Sequence, residues 1–195
     1  MTVDDGAIDR AVELAKAGDP EGFGVVFDHF HGPVYRYVAA RVGRPSDAED
    51  LAQLVFVKAL EALPRYEARG IPFGGWLFRV ARNVVIDHIR TRREHTTLDL
   101  LVEQSDASDG PDERAALRQE MDRVAAALRR LTPEQREAIE LRFFAGLSAK
   151  EAAEAMGRQE GTVRGLQFRG IAALRRDLDL GVEPEDLARV SGTTR

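Results

Sequence analysis

Apolar residues recur at helical spacing along almost the whole 195-residue chain, and the pattern breaks decisively only between residues 94 and 112. That break predicts an all-α fold of two small helical domains joined by a flexible acidic linker, because the stripes on either side must each find their own core. Before it, Ala11, Leu14 and Ala15 start a stripe. Asp19 and Pro20 read as N-cap and first helical residue of a second helix carrying Phe23, Val26, Phe27 and Phe30. Gly32 and Pro33 are expected to interrupt it, with Val34, Tyr37 and Val38 resuming the pattern up to Gly43. Ser46 and Glu49 suggest a capping box for a helix reaching Leu63, which Pro64 stops. A loop from Arg65 to Pro72 leads to a long helix expected to turn Trp76, Leu77, Val80, Val84 and Ile89 inward.

Residues 105–111 are polar, acidic and end in Gly110 and Pro111, a linker composition. Beyond it, Leu117, Met121, Val124, Leu128 and Leu131 are spaced 4, 3, 4, 3. Thr132 with Gln135 forms a second expected box, for a helix ending near Gly146, and Ser148 with Glu151 a third. Gly157 makes a turn, and a last helix runs from about Glu160 to Leu178. The expected organisation is a first domain over 1–93, a linker over 94–112, a four-helix second domain over 113–178 and a tail over 179–195.

Charge is sorted along the chain in a way its net value of −5 hides. Residues 65–93 carry seven arginines against Glu67 and Asp87, and residues 158–176 carry five against Glu160, whereas residues 94–113 hold seven acids and no lysine or arginine. Two basic islands in an acidic chain point to phosphate contacts at the islands. Cysteine is absent, which removes disulfides and thiolate metal sites. No run of 18 apolar residues suggests a membrane span, and the first ten residues lack a signal-peptide pattern, so no membrane insertion and a cytoplasmic location are expected.

Two short capped helices joined through Gly157 suggest a helix-turn-helix. At 100° per residue, Val163, Leu166, Gln167, Gly170, Ile171 and Leu174 share one side of the last helix. Arg164, Phe168 and Arg169 share the other, with Gly165 beside them. An aromatic ring between arginines is odd on a solvated face. It suits a major groove, where arginine meets phosphate or guanine and an apolar ring meets a thymine methyl.

In the first domain, Asp47, Asp50 and Gln53 make a polar ridge beside Glu49. The long helix is basic and ends in Arg90, Arg92 and Arg93, and the loop before it holds Arg65, Tyr66 and Arg69. The segments Asp47 to Phe56, Trp76 to Asn83, Leu147 to Ala153 and Gly161 to Arg164 resemble the extracytoplasmic-function sigma factors, in order and with matching intervals, from about residue 7 to 178. The resemblance implies that Asp47, Glu49, Asp50 and Gln53 dock on core RNA polymerase. It implies that Tyr66 and Asn83 hold a base flipped from the minus-ten element of promoter DNA, with Arg65, Arg69, Arg82, Arg90, Arg92 and Arg93 along that strand. It implies that Arg164, Gly165, Phe168 and Arg169 read the minus-thirty-five element. It further implies an anti-sigma protein as a partner, and a monomer when free. Leu54, Gly165 and Leu166 depart from the acid, small hydroxyl residue and basic residue common in the family.

Catalytic and cofactor readings are weaker. His29 and His31 point about 200° apart on a helix, so they do not share a metal ion. Ser148 and Lys150 at i, i+2 do not face each other. Gly70, Gly74 and Gly75 lack the flanking strand and lysine of a phosphate loop. No catalytic residue, metal or cofactor is therefore expected. A stand-alone helix-turn-helix regulator with an N-terminal partner- or ligand-sensing domain would explain the second domain equally well, but not the basic helix with its aromatic loop. A helical adaptor without a DNA role explains neither island.

Overall fold

The computed structural model describes residues 5–42, 44–68, 70, 72–96 and 123–178, and among these no strand occurs. Helix α1 spans Asp5–Lys16. Asp19 Oδ1 accepts the Glu21 amide at 2.8 Å and Pro20 opens α2, Pro20–Val42, as expected. Pro33 does not interrupt α2, contrary to expectation. A mid-helix proline costs about 3 kcal/mol. The buried Phe30, Val34, Tyr37 and Val38 around it contribute about 1.5–3 kcal/mol each, so burial carries the helix through.

Helix α3, Pro45–Ala62, starts earlier than the Ser46–Glu49 pattern suggests. Arg44 takes the extended N-cap position and Pro45 the first helical one, and no side chain caps the end. A single 3-10 turn, Leu63–Arg65, carries the chain out of α3. Helix α4, Phe73–Thr96, continues three residues into the expected linker. Its facing also differs from expectation. Leu77 is fully buried as foreseen, but Phe78, Ala81 and Val85 join it, while Trp76, Val84 and Ile89 only flank the core. Residues 97–112 of the expected linker and the tail over 179–195 lie outside the described residues.

The second domain contributes α5 (123–130), α6 (Pro133–Ile139), α7 (Ala149–Met156) and α8 (Glu160–Asp177). Both capping boxes form here as expected. Gln135 N donates to Thr132 Oγ1 at 3.3 Å and Thr132 N to Gln135 Oε1 at 3.2 Å. Glu151 N donates to Ser148 Oγ at 3.2 Å and Ser148 N to Glu151 Oε2 at 2.8 Å. After α6 the chain widens into a π-turn over Glu140–Phe144, closed by Ala145 N on Glu140 O at 3.0 Å. Gly157, at φ +63°, ends α7 in the left-handed conformation and turns the chain into α8. One apolar cluster runs without a break from α2, α3 and α4 into α6, α7 and α8.

Candidate nucleic-acid interface

Helices α7 and α8 form the helix-turn-helix, and the facing of α8 follows the sequence. Val163, Leu166, Gln167 and Gly170 are buried, whereas Arg164, Phe168 and Arg169 are exposed. Phe168 stands 50% exposed, and Glu160 holds Arg164 one turn back at 2.6 Å. Arg142 Nε donates to Gln167 Oε1 at 3.0 Å, pinning α8 against the π-turn from its inner side. The outer face is left to Arg164, Phe168 and Arg169, with the Arg169 guanidinium lying 3.4 Å from where a Cβ on Gly165 would stand.

The first-domain face centres on Tyr66. Its ring meets Phe73 edge-on at 5.3 Å and Trp76 at 4.9 Å, with the Lys16 ammonium 5.9 Å from its centre. Burial, then the carboxylates of Asp9, Glu13 and Glu154, push its phenol above the ordinary tyrosine range. Tyr66 is itself buried, at 8% exposure, yet one edge lines an open cleft of about 420 Å³ together with Arg65, Trp76, Arg79 and Glu154. Asn83 is exposed one helical turn beyond Arg79 and does not line this cleft. Arg82 is turned toward the second domain, donating to Glu137 at 2.5 Å. Arg90 pairs with Asp87 at 3.5 Å on the open side of α4. Arg93 belongs to α4, and Arg69 lies outside the described residues.

On α3, Glu49, Asp50 and Gln53 are exposed, with Leu54 and Val57 beside them at 40% and 51%. Asp47 departs from this ridge. Its carboxylate turns to α4, where it accepts from Arg92 at 3.2 Å and lies 3.9 Å from His88. His31 stacks on Phe27 at 4.8 Å and His29 meets Phe30 edge-on, so both rings pack with aromatics.

Known proteins carry both halves of this arrangement. Residues 26–95 match the family described as Sigma-70 region 2, and residues 121–174 match Sigma-70, region 4. The chain is 37% identical over 184 residues to the ECF RNA polymerase sigma factor ShbA of Streptomyces griseus, covering 89% of this chain and 94% of that one. The chain belongs to the ECF RNA polymerase sigma factors. A second relative is the sigma factor BldN of Streptomyces coelicolor, 38% identical over 168 residues. That match takes in 85% of this sigma factor and 63% of BldN, so the chain spans less than two thirds of that relative. Among solved structures, CnrH in complex with the cytosolic domain of CnrY superposes with a TM-score of 0.69 at 27% identity, over 90% of this chain and 99% of CnrH.

In this sigma factor the region 2 match takes in most of α2 and all of α3, with α4 up to residue 95. A stand-alone regulator with an unrelated N-terminal half is not favoured by that match. Beside Arg65 and Tyr66 the cleft takes in Trp76, expected only as an inward-facing core residue, and Arg79, to which the sequence reading gave no role. Their i, i+3 spacing on the basic helix was the available signal. Glu137 and Glu154, which meet Arg82 and Arg79, were missed as well, because they lie 55 and 75 residues away in sequence. No described helix is long and apolar enough to cross a membrane.

Proposed function

We propose that this sigma factor binds core RNA polymerase through the exposed Glu49, Asp50 and Gln53 face of α3, with Asp47 at its edge, and directs it to promoters. Helix α8 reads the minus-thirty-five duplex, with Phe168 and Gly165 at base edges and Arg164 and Arg169 on phosphates. Along α4, Tyr66 and Asn83 receive a flipped minus-ten base, and Arg65, Arg69, Arg82, Arg90, Arg92 and Arg93 guide the strand. The chain makes and breaks no bond itself, the phosphodiester chemistry being the polymerase's, and it needs no cofactor. The observation that carries the reading is the half-exposed Phe168 between two arginines, on the second helix of a helix-turn-helix and in the same chain as a basic α4.

The domain limits assigned to these roles are 1–93 and 113–178, with a linker over 94–112 and a tail over 179–195. An anti-sigma protein is the further partner, by analogy with CnrH and the cytosolic domain of CnrY. The free chain is taken to be monomeric and cytoplasmic. Transcription of a genomic library by purified core polymerase, with and without the chain, tests the whole. New and specific RNA starts are expected on adding the chain, and an unchanged set of starts rejects the function.

A further inference from the structure

Helix α8 opens on an acid, Glu160, although its outer face is assigned to DNA. Glu160, Arg164 and Phe168 follow at intervals of four, so they rise one above another on a single strip of the helix. Arg164 Nε donates to Glu160 Oε1 at 3.0 Å, and Arg164 Nη2 donates to the same oxygen at 2.6 Å. One edge of the guanidinium fork is thus committed to a single carboxylate oxygen. Among the described residues no donor reaches the other oxygen, Oε2.

The fold does not call for this pair. The side chains of Arg164 and Glu160 are 52% and 43% exposed, and an open i, i+4 pair adds little to stability. The buried side of α8 lies elsewhere, at Val163, Leu166, Gln167 and Gly170. A second cation stands close by. Arg142 is fixed there by its bonds to Gln167 Oε1 and to the Leu147 carbonyl. Burial, and after it the Arg164 charge, hold the Arg142 guanidinium below the usual arginine range. Two guanidinium groups therefore share this corner of the helix-turn-helix, and Glu160 is the carboxylate that answers the outer one.

The first turn of a recognition helix is the part that reaches base edges in the major groove. A carboxylate has one well-matched partner there, the N4 amino group of cytosine. Phosphate oxygens, guanine O6 and N7 and thymine O4 are all acceptors and repel it, and adenine sets N7 beside its amino group.

We propose that Glu160 sets base specificity at one minus-thirty-five position, Oε2 accepting from a cytosine N4 amino group while Oε1 holds Arg164 for the neighbouring phosphate. The proposal deepens the duplex-reading role assigned to α8 and rests on it. Glu160 acts by rejection as much as by attraction. Where cytosine is present, the carboxylate is satisfied and Arg164 adds its phosphate contact. Where guanine or thymine stands instead, the carboxylate faces an acceptor in a desolvated groove, and binding weakens.

The test is titration of holoenzyme with duplexes altered one base pair at a time across the minus-thirty-five element, at several salt concentrations. Wild type should prefer a C·G pair at one position by about tenfold. Glu160→Ala should reduce that preference to about twofold or less, chiefly by tighter binding of the duplexes that lack the cytosine. Its salt slope on those duplexes should steepen by about one, because Arg164 then meets the backbone with no carboxylate to offset it. Glu160→Gln keeps an acceptor without the charge and should retain part of the preference. Both variants should melt with wild type. An unchanged ranking in Glu160→Ala overturns the proposal, as does a lost preference for a base other than cytosine. An even loss of affinity across the panel, with earlier melting, overturns it in favour of a role in holding the helix. If wild type ranks no position, base reading by α8 fails and this assignment with it. If Phe168→Ala alters one position and Glu160→Ala none, this assignment alone fails.

Discussion

Truncating Phe168 to alanine separates reading DNA from holding the fold. The ring is 50% exposed, so its removal forfeits about half of what a fully buried phenylalanine contributes, or about 1 kcal/mol. For a 195-residue chain built on one continuous apolar cluster that is roughly 2–4 °C in melting temperature. Leu166, two residues away and 5% exposed, is the internal control. Its truncation should cost about 2–5 kcal/mol. On DNA the order reverses. Losing the readout of a single base pair is worth about 1–3 kcal/mol of discrimination, roughly 5–150-fold, and only at that position. The assay is competition of holoenzyme against duplexes each altered at one minus-thirty-five position, beside thermal melting of the same protein. Phe168→Ala should flatten the preference at one position and leave the others ranked as before. Arg169→Ala should weaken all duplexes alike and lower the salt slope by about one. A Phe168→Ala protein that melts as early as Leu166→Ala, or that loses affinity evenly across the panel, refutes the facing of α8.

Asp50→Arg with Gln53→Ala should weaken core binding while circular dichroism stays near wild type, whereas Asp47→Asn should have the smaller effect because Asp47 already serves Arg92; equal affinity of the double variant rejects the α3 contact. Burial pushes the Glu140 carboxyl up to about 7, opposed by Arg41 and Arg136 and reinforced by Glu137, so its contribution to the folded state is full below about pH 4.5 and is lost as pH rises through about 7. Glu140→Gln should therefore flatten the fall in melting temperature between about pH 4.5 and 7, and an unaltered slope would place that dependence elsewhere, with Tyr37, Arg41, Arg136 and Glu137 the groups that face it. Asn83→Ala, at an exposed position, should change stability by less than about 0.5 kcal/mol yet impair open-complex formation, read by permanganate reactivity of unpaired thymines; a pre-melted template should restore initiation, and wild-type opening sinks the assignment.

Helix boundaries were legible where a few neighbouring atoms decide them. The Thr132 and Ser148 boxes and the Asp19–Pro20 start close within three residues, and each forms as its sequence suggests. The same spacing at Ser46 and Glu49 misleads, because Pro45 with its fixed φ takes the first helical position and moves the cap to Arg44. Pro33 misleads in the opposite direction, its local cost being smaller than the burial on either side. The face of α4 was only half legible. Leu77, Phe78, Val80, Ala81, Val84 and Val85 spread apolar surface around most of the helix, so periodicity does not select one side. The choice falls to α2, α3 and α7, which pack against it from different directions.

The seam between the domains left one trace in the sequence, and its meaning emerges only from the packing. Gly74 and Gly75 open α4 with two of the weakest helix formers, at about 1 kcal/mol each relative to alanine in a helix interior. No phosphate loop, positive φ or turn explains them there. The contact with α7 does at Gly75, since a methyl group there would crowd Glu154 Cβ at 3.1 Å and the Glu151 backbone at 3.2 Å. The basic island over 65–93 likewise reads as a DNA surface, while its partners on the second domain lie scattered among 7 acids and 8 bases over 114–157. In the folded chain each of these guanidinium groups is answered by a carboxylate, Arg82 by Glu137 and Arg79 by Glu154, so the partners that composition scatters along the sequence are gathered only by the packing of α6 and α7 on α4.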